Sequence, residues 1–353
     1  MSFKITISSY PPLFSIVVSS HPISSSLSLC PISGGWTNMD RGDGYYNGPV
    51  IPRGMTLNMT NLPGVEHFAL AGAGGGPAFV VAWRAQGWFV NTFSISNDSH
   101  ATVAAGEPTL RNITWDKGGQ QGGRGWQVDG TTGAIYPNPP FFFDNVFEAL
   151  DLPGEWYHDA ADGKLYIFWN ATVGTAPPTD MQFVATNLIE LVNVTGSSAQ
   201  PASNITLRGL GFRDGAASYL ENWAPPSGGD WALYRGGAIF LQGTEGLTVA
   251  NCTFTRIDAN GILLSGWNRG ATLAGNDFSW IGDSAMAGWG YTDDHDGTGG
   301  EQPRGTMVLE NVCREIGLYQ LQSSCWFQAK TAQTSVLRNL FYNGPRAGEC
   351  TNF

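Results

Sequence analysis

Charge is scarce in this chain. Asp, Glu, Lys and Arg make up 13% of its 353 residues, about half the usual ~25%. Basic residues are the scarcer kind, 18 Lys and Arg against 29 Asp and Glu, for a net charge of −11. No Lys/Arg block exists, which argues against nucleic acid as a partner. No apolar run approaches the ~20 residues that cross a bilayer, so no transmembrane segment is expected. Cysteine is sparse as well, with Cys30, Cys252, Cys313, Cys325 and Cys350. No pair has CxxC or zinc-ligand spacing. The five read as buried free thiols, with one disulfide as the alternative. The Gly-rich loop "DKGGQQGGRGW" (116–126) lacks the Lys-Ser/Thr of a P-loop and has no helix after it, which excludes phosphate binding there.

Glycine, proline and aromatic residues are abundant. The 47 Gly and 20 Pro call for many tight turns between short strands. Seven N-x-[ST] sequons, at Asn58, Asn97, Asn112, Asn170, Asn193, Asn204 and Asn251, point to a secreted glycoprotein in the secretory pathway or outside the cell. Residues 1–50 read as a leader or disordered arm: Lys4 and a short apolar run over 13–18 make a poor signal peptide. Residues 51–200 read as an irregular β region. It holds one clear hairpin at 154–169, "GEWYHDAADGKLYIFW", whose turn carries Asp162-Gly163.

The last part of the chain repeats. "GLTVANCTFTRIDANGILLSG" (246–266) and "GATLAGNDFSWIGDSAMAGWG" (270–290) superpose with an offset of 24 residues. Later units are "MVLENVCREIG" and "SVLRNLFYNGPRAG". Each unit holds three short apolar strands separated by turns. None can bury its apolar face alone, but stacked coils can. The chain over 201–353 is therefore expected to be a parallel β-helix. Phe254, Phe278, Cys313 and Phe341 should form one internal column, and Ile257, Ile281 and Ile316 another. Asn276, Asn311 and Asn339 should stack at a sharp turn, in the left-handed conformation and linked through their amides. Period-two spacing with many β-branched and Gly residues excludes a helical alternative.

The strings "LDLPGEWYHDAADGKLY", "IGDSAMAGWG", "REIG", "QSSCWFQAK" and "NGPRAG" sharpen this. With the repeat, they resemble the right-handed parallel β-helix, or pectin-lyase-like, superfamily, and within it secreted members related to glycoside hydrolases. The resemblance implies an all-β solenoid that cuts or binds polysaccharide. It also implies further coils after "GPRAG", so the chain reads as C-terminally incomplete.

Register places a cleft along the strand 238–241, 262–265 and 286–289, on its outer face. Two insertions, 215–236 and 291–305, wall it. Carboxylates cluster there: Asp283, Asp293, Asp294, Asp296 and Glu301. Glycoside hydrolysis needs two, one to protonate the leaving oxygen and one to attack or to activate water. Asp283 and Asp294 are the expected pair, with Glu315 as a second candidate acid. Trp289 and Trp326 are expected as sugar platforms. Gln322, Gln328 and Lys330 are expected to line the groove. Arg346 should hold a substrate hydroxyl or carboxylate, sharing a column with Asp283 and with Leu318 between them. Each has a plain alternative: a solvated acidic loop with a lone His295, a core Trp, a turn-stabilising Arg. No metal is required, although the acidic loop has the chemistry for calcium. Two other functions fit the same residues. One is a polysaccharide lyase using Lys330, Arg346 and calcium; the other is a non-catalytic structural or glycan-binding solenoid.

Overall fold

The structure is a computed structural model and describes residues 15–18, 37–38, 54–59, 65, 67–71, 77–83, 89–101, 110–121, 141–169, 183–226, 231–292 and 296–352. The chain forms two compact units. One comprises Met1–Val17, Val184–Ser218 and Asn222–Phe353; the other comprises Val18–Phe183 and Tyr219–Glu221.

The second of these is built on a six-stranded antiparallel sheet. Its order is Thr37–Asn38, Gly54–Asn58, Leu110–Gly118, Val90–Ala101, Phe79–Trp83, Phe141–Asp144. Alternation buries Met55, Leu57, Val80, Phe93, Ile113 and Phe143 on one face. Arg111 is 1% exposed beneath it. Its guanidinium donates to both carboxylate oxygens of Asp98 and to the carbonyls of Val65 and Phe68. A buried charge is tolerated when so fully paired. Strands Trp156–Asp159 and Lys164–Ile167 pair antiparallel, with Gly163 left-handed in the turn (φ 62°).

The other unit is a parallel β-helix with three sheets. The main sheet runs Val192–Thr195, Ile239–Glu245, Ile262–Arg269, Met286–Trp289, Ser324–Ala329, Ala347–Asn352. The second runs Thr206–Arg208, Thr248–Ala250, Thr272–Ala274, Met307–Leu309, Ser335–Leu337, and the third Gly211–Gly215, Thr253–Ile257, Asp277–Ile281, Val312–Ile316, Leu340–Phe341. Val192 already pairs with Ile239, so the first coil starts ahead of residue 201. Neighbouring coils sit ~4.8 Å apart, and like residues stack. Phe212 lies over Phe254 at 4.9 Å, and Phe254 over Phe278 at 4.5 Å. Cys313 and Phe341 continue that column. Ile257, Ile281 and Ile316 form the next. Each fully buried Phe or Ile contributes about 1.5–3 kcal/mol.

Two expectations are corrected inside this core. Cys313 is not a free thiol: it is bonded to Cys325, 12 residues on, while Cys252 stays free and buried. The bridge ties the third sheet to the main sheet across the interior. The stacked Asn residues are not left-handed either. The residue before each is: Gly275 (φ 65°), Glu310 (φ 53°) and Arg338 (φ 56°). That twist turns the following Asn side chain inward, where its amide does the work. Asn311 Oδ1 accepts from the backbone N–H and Nδ2 of Asn276, both at 3.0 Å. Asn339 Oδ1 accepts in the same way from Asn311, at 2.9 and 3.0 Å. Asn311 Nδ2 also donates to the Leu273 carbonyl at 2.9 Å.

Replacing Asn311 by Ala strands the Asn276 N–H and the Leu273 carbonyl in an apolar interior. The expected cost is about 3 kcal/mol, read as a lower denaturant midpoint with an unchanged slope. A shift worth less than ~0.5 kcal/mol, within the range of ordinary surface substitutions, shows that the relay does not hold the coils together.

Candidate active site

The first insertion is a small hairpin. Trp223 pairs with Tyr234 and Ala224 with Leu233. At its base, the Trp223 indole donates to the Ser218 carbonyl at 2.9 Å. The hairpin lies on the outer face of the main sheet. Trp231 and Leu233 pack there with Leu263, Ala287, Trp289, Phe327 and Ala329. The outer face is thus not an open groove along its whole length, as expected from register. Its middle is covered, and polar groups gather at the two ends of the strand.

At the leading end stands Asp283, in the turn before Met286–Trp289. It is 1% exposed. Ser218, itself fully buried, donates its hydroxyl to Asp283 Oδ2 at 2.5 Å. Burial in low dielectric pushes the carboxyl up to about 8; the Ser218 bond opposes this and the nearby Asp258 carboxylate adds to it. Asp283 is therefore an acid that keeps its proton at neutral pH. Asp258 occupies the preceding coil and is also buried. The two aspartates sit on adjacent coils because Ala259 lies against Asp283: the Asp283 N–H points at the Ala259 carbonyl, 3.4 Å away. Gly282 is required between them, since a side chain there would meet the Asp258 backbone at 2.5–2.8 Å. A polar ladder follows. The Ser284 N–H donates to Asn260 Oδ1 at 3.1 Å, and the Ser324 N–H to Ser284 Oγ at 3.2 Å.

The turn of the next coil closes over this place. The Gly317 N–H donates to the Asp283 carbonyl at 3.1 Å, and the Tyr319 and Gln320 N–H groups to that of Gly282. Gly317, rather than Leu318, thus bonds to Asp283, because the turn from Ile316 to Trp326 is longer than that from Ile281 to Met286 and does not keep the column's register. Gln320 and Gln322 are both 2% exposed, and the Gln322 N–H donates to Gln320 Oε1 at 3.2 Å. The Cys313–Cys325 bridge closes this same turn.

The remaining expected site residues are scattered. Asp293, Asp294 and His295 lie outside the described residues. Asp296 is bonded to Thr298. Glu315 belongs to the third sheet. It is left-handed (φ 50°), like Asp214, Arg256 and Trp280 at the same step of the coils below, and its carboxylate accepts from Asn343 Nδ2 at 2.7 Å. Trp326 is not a sugar platform: it pairs with Met286 on the inward side and is wholly buried in the core. Gln328 shares that inward parity and accepts from the Trp326 indole at 3.1 Å, so it does not line the outer face. Lys330 Nζ donates to the Thr292 carbonyl at 2.6 Å. Arg346 is exposed and lies over Trp231, 4.9 Å from the ring centroid. Trp289 is on the outer face as expected, 7% exposed beneath other groups. Among the described residues, no three His, Cys, Asp or Glu side chains come together as a metal site. No helix among them is long and apolar enough to cross a membrane.

Asp258 was missed by sequence reasoning, although the repeat held the signal: the 24-residue offset sets Asp258 on Gly282 and Ala259 on Asp283.

No protein-family model and no curated protein matches the chain. A solved structure titled "Glycoside hydrolase" is similar to it, with a TM-score of 0.54 and 13% sequence identity. The match covers 98% of this chain and 70% of that one. At that identity the likeness establishes the shared fold: an all-β chain built on a parallel β-helix.

The acid at Asp283 has a consequence for stability. Its pKa, near 3.9 in the unfolded chain, rises to about 8 in the folded one. Its contribution is whole below pH ~4 and is lost as pH climbs towards 8, because only the unfolded chain ionises freely. Asp283→Asn should therefore flatten the fall in stability between pH ~4 and 8. It should gain on the order of a few kcal/mol over wild type at the upper end. Denaturant titrations at several pH values check this; parallel curves for the two proteins refute it.

Proposed function

We propose that this chain is a carbohydrate-active β-helix protein, and more narrowly a glycoside hydrolase acting on cell-wall or algal polysaccharide. The observation that carries the reading is the pair of buried carboxyl groups on adjacent coils, one of which holds its proton at neutral pH. A carboxyl whose environment raises its pKa is suited to be the acid of such a pair. Asp283 is the general acid: it gives its proton to the oxygen leaving the sugar. The Asp258 carboxylate raises the acid's affinity for that proton, and a carboxylate there would stabilise the positive charge that develops on the sugar ring. The carboxylate that attacks or activates water is Asp258 or Asp294, and the stereochemical course follows from which. Ser218 occupies the Asp283 carboxyl in the free protein, and the substrate oxygen takes its place. The fold shared with a protein titled glycoside hydrolase supports this reading. The seven sequons and the Cys313–Cys325 bridge support an oxidising, secretory location.

The test is release of reducing ends from plant and algal polysaccharides, without the absorbance of unsaturated products that elimination would leave. Asp283→Asn should lose about 10²–10⁴-fold in kcat with its circular dichroism retained and its thermal midpoint no lower than that of wild type. Full turnover by that variant removes Asp283 from the mechanism.

The pH profile is a second check. Activity should fall as pH rises through about 8, where Asp283 gives up its proton. Ser218→Ala removes a bond that favours the ionised form, so it should move this alkaline limb upward. A limb that stays in place, or moves down, shows that another group is the acid.

A further inference from the structure

Arg235 is a cation on the outer face of the main sheet that no carboxylate neutralises among the described residues. The Arg235 guanidinium lies between two rings, its central carbon 3.6 Å from the Trp289 centroid and 4.1 Å from that of Tyr291. Nη1 donates to Ser265 Oγ and to the Trp289 carbonyl, both at 3.0 Å, and Nη2 to the Gly290 carbonyl at 3.2 Å. All three acceptors are neutral. Among the described residues no carboxylate pairs with Arg235. The three bonds use three of the five guanidinium N–H groups, and Tyr291 also meets the group through a side-chain hydrogen bond, which leaves one donor. Burial has already pulled the group down to about 10, with no opposing charge but Tyr291 to hold it up.

The surroundings are built rather than incidental. Gln242, Ser265 and Trp289 share one register column on the outer face. Ser265 Oγ donates to Gln242 Oε1 at 3.0 Å, and the Tyr291 hydroxyl donates to the same oxygen at 3.1 Å. The Tyr291 ring lies where a side chain on Gly266 would stand, 2.4 Å from the position of its Cβ. It is held there, yet the residue remains 49% exposed. A fixed aromatic ring, open to solvent, adjoins a fixed and half-buried guanidinium. The site shares no residue with the Asp258–Asp283 pair.

We propose that Arg235, Tyr291 and Gln242 form an anion-selective sugar subsite, with Arg235 taking a carboxylate or sulfate ester on a sugar ring that lies against Tyr291. A carboxylate or sulfate oxygen can accept from the remaining donor, and the planar guanidinium fixed between two rings favours arginine over lysine. Gln242 presents its amide to a ring hydroxyl. The assignment rests on the carbohydrate-active reading but not on catalysis.

Calorimetric titration of the whole chain tests it with two matched pairs of ligands. One pair is trigalacturonate and its methyl ester; the other is a sulfated galactose oligosaccharide and its desulfated form. Wild type should bind the acid of at least one pair tenfold or more tightly than its neutral partner, and the pair that discriminates names the anion. Arg235→Gln should collapse that ratio, and Arg235→Lys should leave it in between. Equal affinity for acid and neutral ligands in wild type overturns the subsite without any variant, so misfolding of a variant cannot rescue it. A folded Arg235→Gln that keeps the ratio overturns it too. Binding of neutral ligands without acid preference leaves the hydrolase reading standing and sinks only this one. Loss of both kinds of binding sinks both. An acid preference retained alongside full turnover by Asp283→Asn supports the subsite and condemns the acid.

Discussion

Every coil of the solenoid depends on the coil beside it turning its corner at the same residue. The backbone hydrogen bonds between parallel strands run from coil to coil, so a strand out of step by one residue loses its partners and turns its apolar side chains outward. The Asn corner fixes the step. Asn276, Asn311 and Asn339 are separated by 35 and 28 residues, yet each accepts one backbone N–H from the coil before it and donates Nδ2 to a carbonyl of that coil. The Cys252 N–H joins the same relay, donating to Asn276 Oδ1 at 3.0 Å across 24 residues. A relay that closes around loops of such unequal length lets the loops vary freely. That is why the long insertions, and the chemistry on them, sit on one edge of an otherwise repetitive frame.

The same frame explains the state of Asp283. Asp283 is 1% exposed in an inner turn of the β-helix, so solvent does little to stabilise a charge there. An aspartate set into that turn, with a second aspartate on the coil below, has nowhere to place a negative charge. Neither Ser218 nor any backbone donor brings a full positive charge to offset desolvation, so the proton stays. Arg111 in the other unit is the counterexample within the same chain. It is as deeply buried, but Asp98 and two carbonyls meet its donors. The difference between a perturbed group and a settled one is the partner, not the burial.

How much of this was legible in the sequence depended on period. Phe254, Phe278, Cys313 and Phe341 were placed in one column because three of the four are the same residue at a repeating step. Their stacking, and the all-β solenoid itself, followed from that. What failed was parity and direction. Trp289 and Trp326 look alike in sequence, but the turn over 317–323 sets Trp326 opposite Met286, on the inward side, while Trp289 faces out beside Ser265. The Asn corner was located correctly and given the wrong backbone, since the strain falls on the residue before it. The disulfide was hidden because Cys313 fills a place where Phe also fits, so its thiol read as packing. Arg235 was invisible for a different reason. It lies in an insertion with no period, and nothing local marks a guanidinium that will end between two rings brought from 54 and 56 positions away along the chain.

Scarcity of charge ties these points together. In a chain with a charged fraction of 13%, most charged groups on the described β-helix are solvated or matched, as Arg256 is with Asp214 and Arg314 with Asp277. The exceptions share one sheet and one hairpin. Asp283 keeps its proton for want of a cation, and burial weakens the hold of Arg235 on its own, with no carboxylate beside it among the described residues. Had stability alone shaped this face, joining the two would have satisfied both, since a carboxylate and a guanidinium in contact are each other's natural partners. Instead the fold anchors them separately, one beneath Ser218 and one between Trp289 and Tyr291, and accepts the desolvation of each. Unmatched groups held by rigid neighbours are what a binding surface requires, because the missing partner must then come from the ligand.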